Sequence, residues 1–141
     1  MATEQLFFLA PAGATLALLF ALYQGRKVLK FPEGNDIMKR ISKAVRTGAN
    51  AYLKRQYTGV GLFFAVMFVV LIIMSRFKLV TPFVPFAFIT GGFFSGLSGF
   101  IGMRIATAAN ARTAQASSES LNRGLRVAFS SGTVMGFTVV G

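Results

Sequence analysis

The sequence predicts an all-α integral membrane protein: a multi-span helical bundle of about four transmembrane helices with helical cytoplasmic extensions, its last helix truncated. Three observations lead there. Apolar residues make up 54% of the 141 positions and charged residues only 13%. The apolar positions gather into runs near 6–23, 57–75, 83–107 and 125–141. The longer runs approach the roughly 20 residues needed to cross a hydrocarbon core about 30 Å thick. Finally, the charges avoid these runs and fill the connections between them.

The first span, 6–23, is followed by positive charges rather than preceded by them. A secretory leader has the opposite polarity, so this segment is expected to remain in the mature chain. Only Glu4 precedes it, which places the N-terminus outside. Pro11 is expected in the first turns, where a missing N–H costs least.

The segment 24–56 reads as cytoplasmic. Phe31-Pro32-Glu33-Gly34-Asn35-Asp36 is a turn, and Asn35 or Asp36 can cap the next helix. Glu33 and Asp36 are assigned capping roles. From Ile37 the pattern is amphipathic: Ile37, Ile41, Ala44, Val45, Gly48 and Tyr52 share a face at spacings of three and four. Lys39, Arg40, Lys43 and Arg46 occupy the remainder. Attraction of these bases to anionic headgroups is the simpler reading. Packing against a catalytic region elsewhere is the functional one.

The second span, 57–75, is bulky and suited to lipid, with Phe63, Phe64, Met67, Phe68 and Val69 through Ile73. A short outside loop follows, and Pro82 and Pro85 open the third span, 83–107. This third span differs in kind. Gly92, Ser95, Gly96, Gly99, Gly102 and Ala106 form small-xxx-small pairs, which let membrane helices approach closely. They are the candidate helix-packing residues. The alanine-rich tract 108–124 is expected to continue as cytoplasmic helix and to break at Asn122 to Gly124. Arg104 can snorkel to the inner boundary. The last run, 125–141, is short of a full crossing, which suggests a truncated helix. All of 1–141 therefore reads as one membrane region.

The net charge of +11 does not point to nucleic acid. Thirteen of the 15 Lys and Arg lie between Arg26 and Arg55 or between Arg104 and Arg126; only Arg76 and Lys78 fall on the other side. That is the positive-inside pattern of a multi-pass protein. Nucleic acid is therefore not expected as a partner; the lipid bilayer is.

Catalytic groups are sparse. With no His and no Cys, thiol and zinc chemistry are excluded. The carboxylates are Glu4, Glu33, Asp36 and Glu119, and no two are spaced as a metal pair. No Walker loop is present: Gly132-Thr133-Val134-Met135-Gly136 lacks the lysine. Ser130 and Ser131 have no base nearby. No catalytic, cofactor-binding or metal-ligating residue is assigned to this chain.

Short motifs nonetheless line up in order. Gly102-Met103-x-Ile105-Ala106-Thr107, Ala109-Asn110-x-Arg112-Thr113 and Gly132-x-Val134-Met135-Gly136 resemble the third and fourth helices of the membrane-embedded, ion-translocating inorganic pyrophosphatases. Pro32-Glu33-Gly34, Arg46-x-Gly48-Ala49 and Ala51-Tyr52-Leu53-x-Arg55-Gln56-Tyr57 are similar to that family's first cytoplasmic connection and second-helix entry. The resemblance implies an N-terminal, outer-ring segment of a pump in the cell (inner) membrane. Such a pump couples hydrolysis of inorganic pyrophosphate to proton or sodium transport. It also implies Mg2+ as cofactor, K+ as a second candidate cation, the remaining helices of the same pump as partners, and a homodimer. The acidic motifs that would hold magnesium pyrophosphate have no counterpart in these residues, so the segment alone is expected to be inactive. The competing reading is a free-standing four-span structural or channel-subunit protein.

Overall fold

The computed structural model describes the backbone of residues 2–141 and the side chains of residues 8–141. Glu4 and Leu6, on which the outside N-terminus and the start of the first span rest, have side chains outside the described residues. The described chain forms four helices: α1 (Ala2–Leu29), α2 (Asp36–Arg76), α3 (Val84–Glu119) and α4 (Leu121–Val140).

Only three of them, α1, α2 and α3, are long and apolar enough to cross a membrane. The fourth expected span is not among them. The α4 helix has 20 residues, but Asn122, Arg123 and Arg126 occupy its first turns and Ser130, Ser131 and Thr133 its middle. Polar side chains at those places leave it without an apolar stretch as long as those of the other three.

Several boundaries differ from expectation. The first helix runs past Tyr23 to Leu29, with Arg26 and Lys27 in its last turn, where cations complement the helix dipole. Pro11 lies inside this helix rather than in its first turns, and the Thr15 hydroxyl donates to the Pro11 carbonyl at 2.7 Å. The break expected at Asn122 to Gly124 falls at Ser120 instead. Its extended backbone ends α3, and its hydroxyl accepts from Arg123 N to cap α4. Asn122 to Gly124 therefore belong to the first turn of α4. A Ser N-cap outweighs the glycine as a boundary signal because it satisfies an otherwise free amide.

Nothing interrupts α2 over 41 residues, which makes it about 60 Å long at 1.5 Å per residue. That is about twice the hydrocarbon thickness. The apolar half of α2 is long enough to cross a membrane, and the basic half, Asp36 to about Gln56, extends the same helix by a similar length. The apolar face expected there is turned outward: Ile37 is 69% exposed and Ile41 59%. The face packed on the rest of the chain instead carries the buried Ser42 and Leu53. Because this half continues a spanning helix, it cannot also lie flat in the headgroups.

The helices form a row. The α3 helix packs against α2 on one side and α4 on the other; α1 sits against α4 and touches α3, and among the described residues α1 and α2 do not meet. The core is made of small side chains. Among the described residues, Ala17, Ala21, Val28, Leu53, Ala109, Ala111, Ala116, Val127 and Val134 are its buried apolar side chains, with no Phe among them. Membrane helices associate by such close packing because lipid offers no hydrophobic drive. The bulky side chains instead face outward or meet between helices: Phe20 of α1 meets Phe137 of α4 edge-on at 5.1 Å, and others meet across α2 and α3. There Phe64 stacks on Phe88 with centroids 4.7 Å apart, and Phe68 meets Phe86 edge-on at 6.2 Å.

Candidate functional site

The most ordered polar structure lies at the basic end, where the α1–α2 connection meets α3. Two hydrogen bonds close the end of α1, from Lys30 N to Lys27 O and from Phe31 N to Val28 O. Phe31 then packs on a cluster of Val28, Ala109, Ala116 and Val127, contributed by α1, α3 and α4. Gly34 follows with φ +87°, a conformation that suits glycine. A Cβ there would also overlap the Met38 sulfur and crowd Gln115. Asn35 opens α2, its Oδ1 accepting from Met38 N at 2.9 Å. Asp36 is not the cap; it pairs with Lys39 on the surface at 3.2 Å.

This turn delivers Glu33 to two arginines, not to a cap. Its Oε1 accepts from Arg46 on α2, thirteen positions away, and lies 3.0 Å from Nη1 of Arg112 on α3. Arg112 is buried, 9% exposed. Its Nε donates to the Phe31 carbonyl at 3.0 Å, and its Nη1 also reaches the Ala108 carbonyl one turn back. One guanidinium thus holds the backbone of the connection, a carboxylate of the connection and its own helix. Its planar, multi-donor geometry suits that task in a way an ammonium does not. Hydrogen bonding from Arg46 is the largest influence holding the Glu33 carboxyl below its ordinary value of 4.5; partial desolvation opposes it, and the fields of Arg112 and Arg46 add to it.

Chemically this cluster is a clamp. Its one carboxylate is held ionised by two cations, which unfits it for general acid–base work near neutral pH. Glu119 pairs with Arg123 one turn on, across the Ser120 break. Among the described residues no three His, Cys, Asp or Glu side chains gather to hold a metal ion.

The candidate packing residues on α3 divide by neighbour. A Cβ at Gly92 would overlap the Phe64 ring of α2; at Gly96 it would lie 3.3 Å from Tyr57 Cε1, and at Gly99 3.4 Å from the Tyr57 hydroxyl. A Cβ at Gly102 would lie 2.9 Å from Met135 Cγ on α4. The glycine notches are therefore filled by large side chains from the neighbouring helices. Ser95 and Ala106 are exposed; Ala106 borders a cleft between α3 and α4 with Ala109, Ser131 and Gly132. The Tyr57 hydroxyl donates to the Gly96 carbonyl at 2.6 Å, a contact that sequence reasoning missed.

A second small stripe, on α1, was missed as well. Ala17, Ala21, Gly25 and Val28 are buried along one face, and a Cβ at Gly25 would lie 3.7 Å from Ile105 Cδ1 and 3.9 Å from the Val134 methyls. The signal was present as small residues at spacings of three and four.

The family model described as inorganic H+ pyrophosphatase matches residues 15–141. A Bacteroides thetaiotaomicron protein, a candidate K(+)-stimulated pyrophosphate-energized sodium pump, is 53% identical over 137 residues, covering 96% of this chain and 19% of its own length. The K(+)-insensitive pyrophosphate-energized proton pump 2 of Moorella thermoacetica is 44% identical over 135 residues, 96% of this chain and 19% of its own. The K(+)-stimulated pyrophosphate-energized sodium pump of Thermotoga maritima is 36% identical over 143 residues, 100% and 19%. The chain thus spans about a fifth of the length of these relatives.

Proposed function

The chain belongs to the inorganic H+ pyrophosphatase family, and on that premise we propose that it is the N-terminal, outer-ring portion of a pyrophosphate-energised ion pump. The pump would couple hydrolysis of inorganic pyrophosphate to export of protons or sodium. These residues would supply supporting wall rather than catalytic centre. The observation that carries this reading is the state of the carboxylates. Glu33 is held by Arg46 and Arg112, Asp36 and Glu119 pair at the surface with Lys39 and Arg123, and among the described residues no three carboxylates, His or Cys gather. Magnesium pyrophosphate needs oxygen ligands free to take a hard cation. The described residues do not fit that role, so magnesium, and potassium as a second candidate cation, are assigned to polypeptide outside these residues.

The relatives of both ion types match this chain, so proton and sodium transport stay open together. The basic end is assigned to the cytoplasm by its excess of Lys and Arg, with a homodimer as the assembly. The row arrangement weighs against a free-standing four-span protein. Its largest fully buried side chains are Val28, Val127 and Pro85, and Phe side chains line its outer surfaces, where further helices or lipid must cover them.

The test compares the complete gene product with the 141-residue segment in the same vesicles. The complete protein should release phosphate from pyrophosphate in a magnesium-dependent way and acidify or load sodium into the vesicles. The segment alone should insert and do neither. Phosphate release by the pure segment, or none by the complete protein, overturns the reading.

A further inference from the structure

A long groove runs between α2 and α3 on the face away from α4. It has a volume of about 580 Å³, and its walls are Leu53, Tyr57, Val60, Phe64, Phe93 and Leu97, with Gly61 and Gly92 at its floor. At one end it meets polar and cationic groups. Asn50 and Lys54 line it there from α2. From α3, Phe100 lines it, and the Arg104 guanidinium sits over that ring, 5.1 Å from its centroid. Each helix therefore sets one cation at the same end of the groove.

The length of this groove matches a membrane dimension. From Lys54 to Phe64 is ten residues, about 15 Å of helix. A hydrocarbon core about 30 Å thick gives each leaflet about 15 Å. The apolar walls thus cover one leaflet's depth, and the two cations fall where that leaflet's phosphates lie. Water at that depth would find almost no polar partner along the walls, so an apolar occupant is required.

We propose that this groove is a lipid site: an anionic phospholipid of the leaflet on the basic side lays an acyl chain against Val60, Phe64, Phe93 and Leu97, and its phosphate is held between Lys54 and Arg104. Charge selects the headgroup. Basic positions at the ends of spanning helices attract anionic lipid by about 1 kcal/mol each. The apolar walls select nothing beyond a hydrocarbon chain. The occupant does not depend on which ion the protein moves or on whether it hydrolyses pyrophosphate.

The experiment uses the complete protein in vesicles. These contain phosphatidylglycerol or phosphatidylcholine bearing a photoreactive diazirine midway along one acyl chain, at equal mole fraction. Crosslinked residues are mapped by mass spectrometry. The phosphatidylglycerol probe should label Phe93 and Leu97 about thirtyfold more than the phosphatidylcholine probe, the ratio for about 1 kcal/mol from each of the two cations. Lys54→Gln should bring that ratio down to about fivefold, and Lys54→Gln combined with Arg104→Gln should bring it close to one, while labelling of the lipid-facing Phe63 and Val69 is unchanged. Gly61→Leu adds a side chain where nothing lies within 4 Å of the Cβ position, and should suppress labelling by both probes. Equal labelling by the two probes would mean ordinary surrounding lipid and overturn the proposal. So would labelled Phe63 and Val69 beside an unlabelled groove, the result if another helix fills it.

Discussion

Tyr57 on α2 donates its hydroxyl proton to the carbonyl oxygen of Gly96 on α3 across 2.6 Å. The pair spans two helices that both cross the membrane, and it depends on the glycine. A carbonyl inside a helix already accepts from its own helix, so an outside donor reaches it only where no side chain stands in the way. The Tyr57 ring lies 3.3 Å from where a Gly96 Cβ would be, tighter than an ordinary contact. Two features of the sequence, Tyr57 at the entry of the second span and the small stripe in the third, are thus halves of one joint.

The neighbouring glycines 91 and 92 give an internal control for that joint. At Gly91 nothing lies within 4 Å of a Cβ, whereas at Gly92 a Cβ overlaps the Phe64 ring, which is itself stacked on Phe88. Gly91→Ala should be neutral or slightly stabilising, since alanine favours helix by up to about 1 kcal/mol. Gly92→Ala should destabilise by about 1–3 kcal/mol through overpacking. Gly96→Leu and Gly99→Leu, both directed at Tyr57, should lower the yield of assembled protein more severely. Thermal melting in detergent and the monodisperse yield read these differences. Equal behaviour of the two alanine variants would refute the assigned packing.

Arg112 is the residue on which the basic end turns. Arg112→Met leaves Glu33 with Arg46 alone and the Phe31 carbonyl without its donor, and should cost about 3 kcal/mol, as for breaking a buried ion pair from one side. Arg112→Lys keeps the charge but not the fork, so it should recover only part of that loss. Chemical or thermal unfolding of the complete protein measures both. Faster protease cutting at the 30–35 connection should accompany the loss. Full recovery by lysine would show that charge alone matters there.

The Glu33 carboxyl supplies the pH dependence. Its folded value is lowered, so the unfolded chain binds the proton more readily. The stability it contributes is present above the ordinary carboxylate value of 4.5 and is lost as pH falls through the lower folded value. Melting temperature should therefore fall in the acid range below about 4.5 and stay level above it as far as this group is concerned. Glu33→Gln should lower the plateau and flatten that acid decline. An unchanged acid decline in the variant would assign it to other groups.

How much of this was legible follows the range of the interactions. The continuity of α2 and α3 was visible because no proline interrupts Ile37 to Ser75 or Phe86 to Ser120. The Gly-rich face of α3 was visible as a packing face, but not its fillers, because Phe64, Tyr57 and Met135 lie 28 to 42 positions away along the chain. Glu33 was misread as a cap because its partners lie 13 and 79 positions off, and only the Gly34 turn brings them together. The direction in which the apolar face of α2 points was not legible, for a related reason. Periodicity shows that Ile37, Ile41, Val45 and Tyr52 share a face; it cannot show that Ser42 and Leu53 lie on the side that packs.

The same geometry makes membrane orientation testable. If the basic end is cytoplasmic, Lys39 on the protruding half of α2 lies inside and Lys78 in the short α2–α3 loop lies outside. Both are exposed, and this chain has no cysteine to interfere. In a cysteine-free background, Lys78→Cys should react with a membrane-impermeant maleimide in intact cells, and Lys39→Cys should react only after the membrane is opened. Lys78 has φ +60°, so a replacement there bears some strain; Leu79→Cys, exposed in the same loop, provides a second reporter. The expectation rests on thirteen Lys and Arg on one side against two on the other, and that bias sets orientation when the connecting loops are short. Labelling of Lys39→Cys in intact cells would invert the chain and move the lipid groove to the outer leaflet.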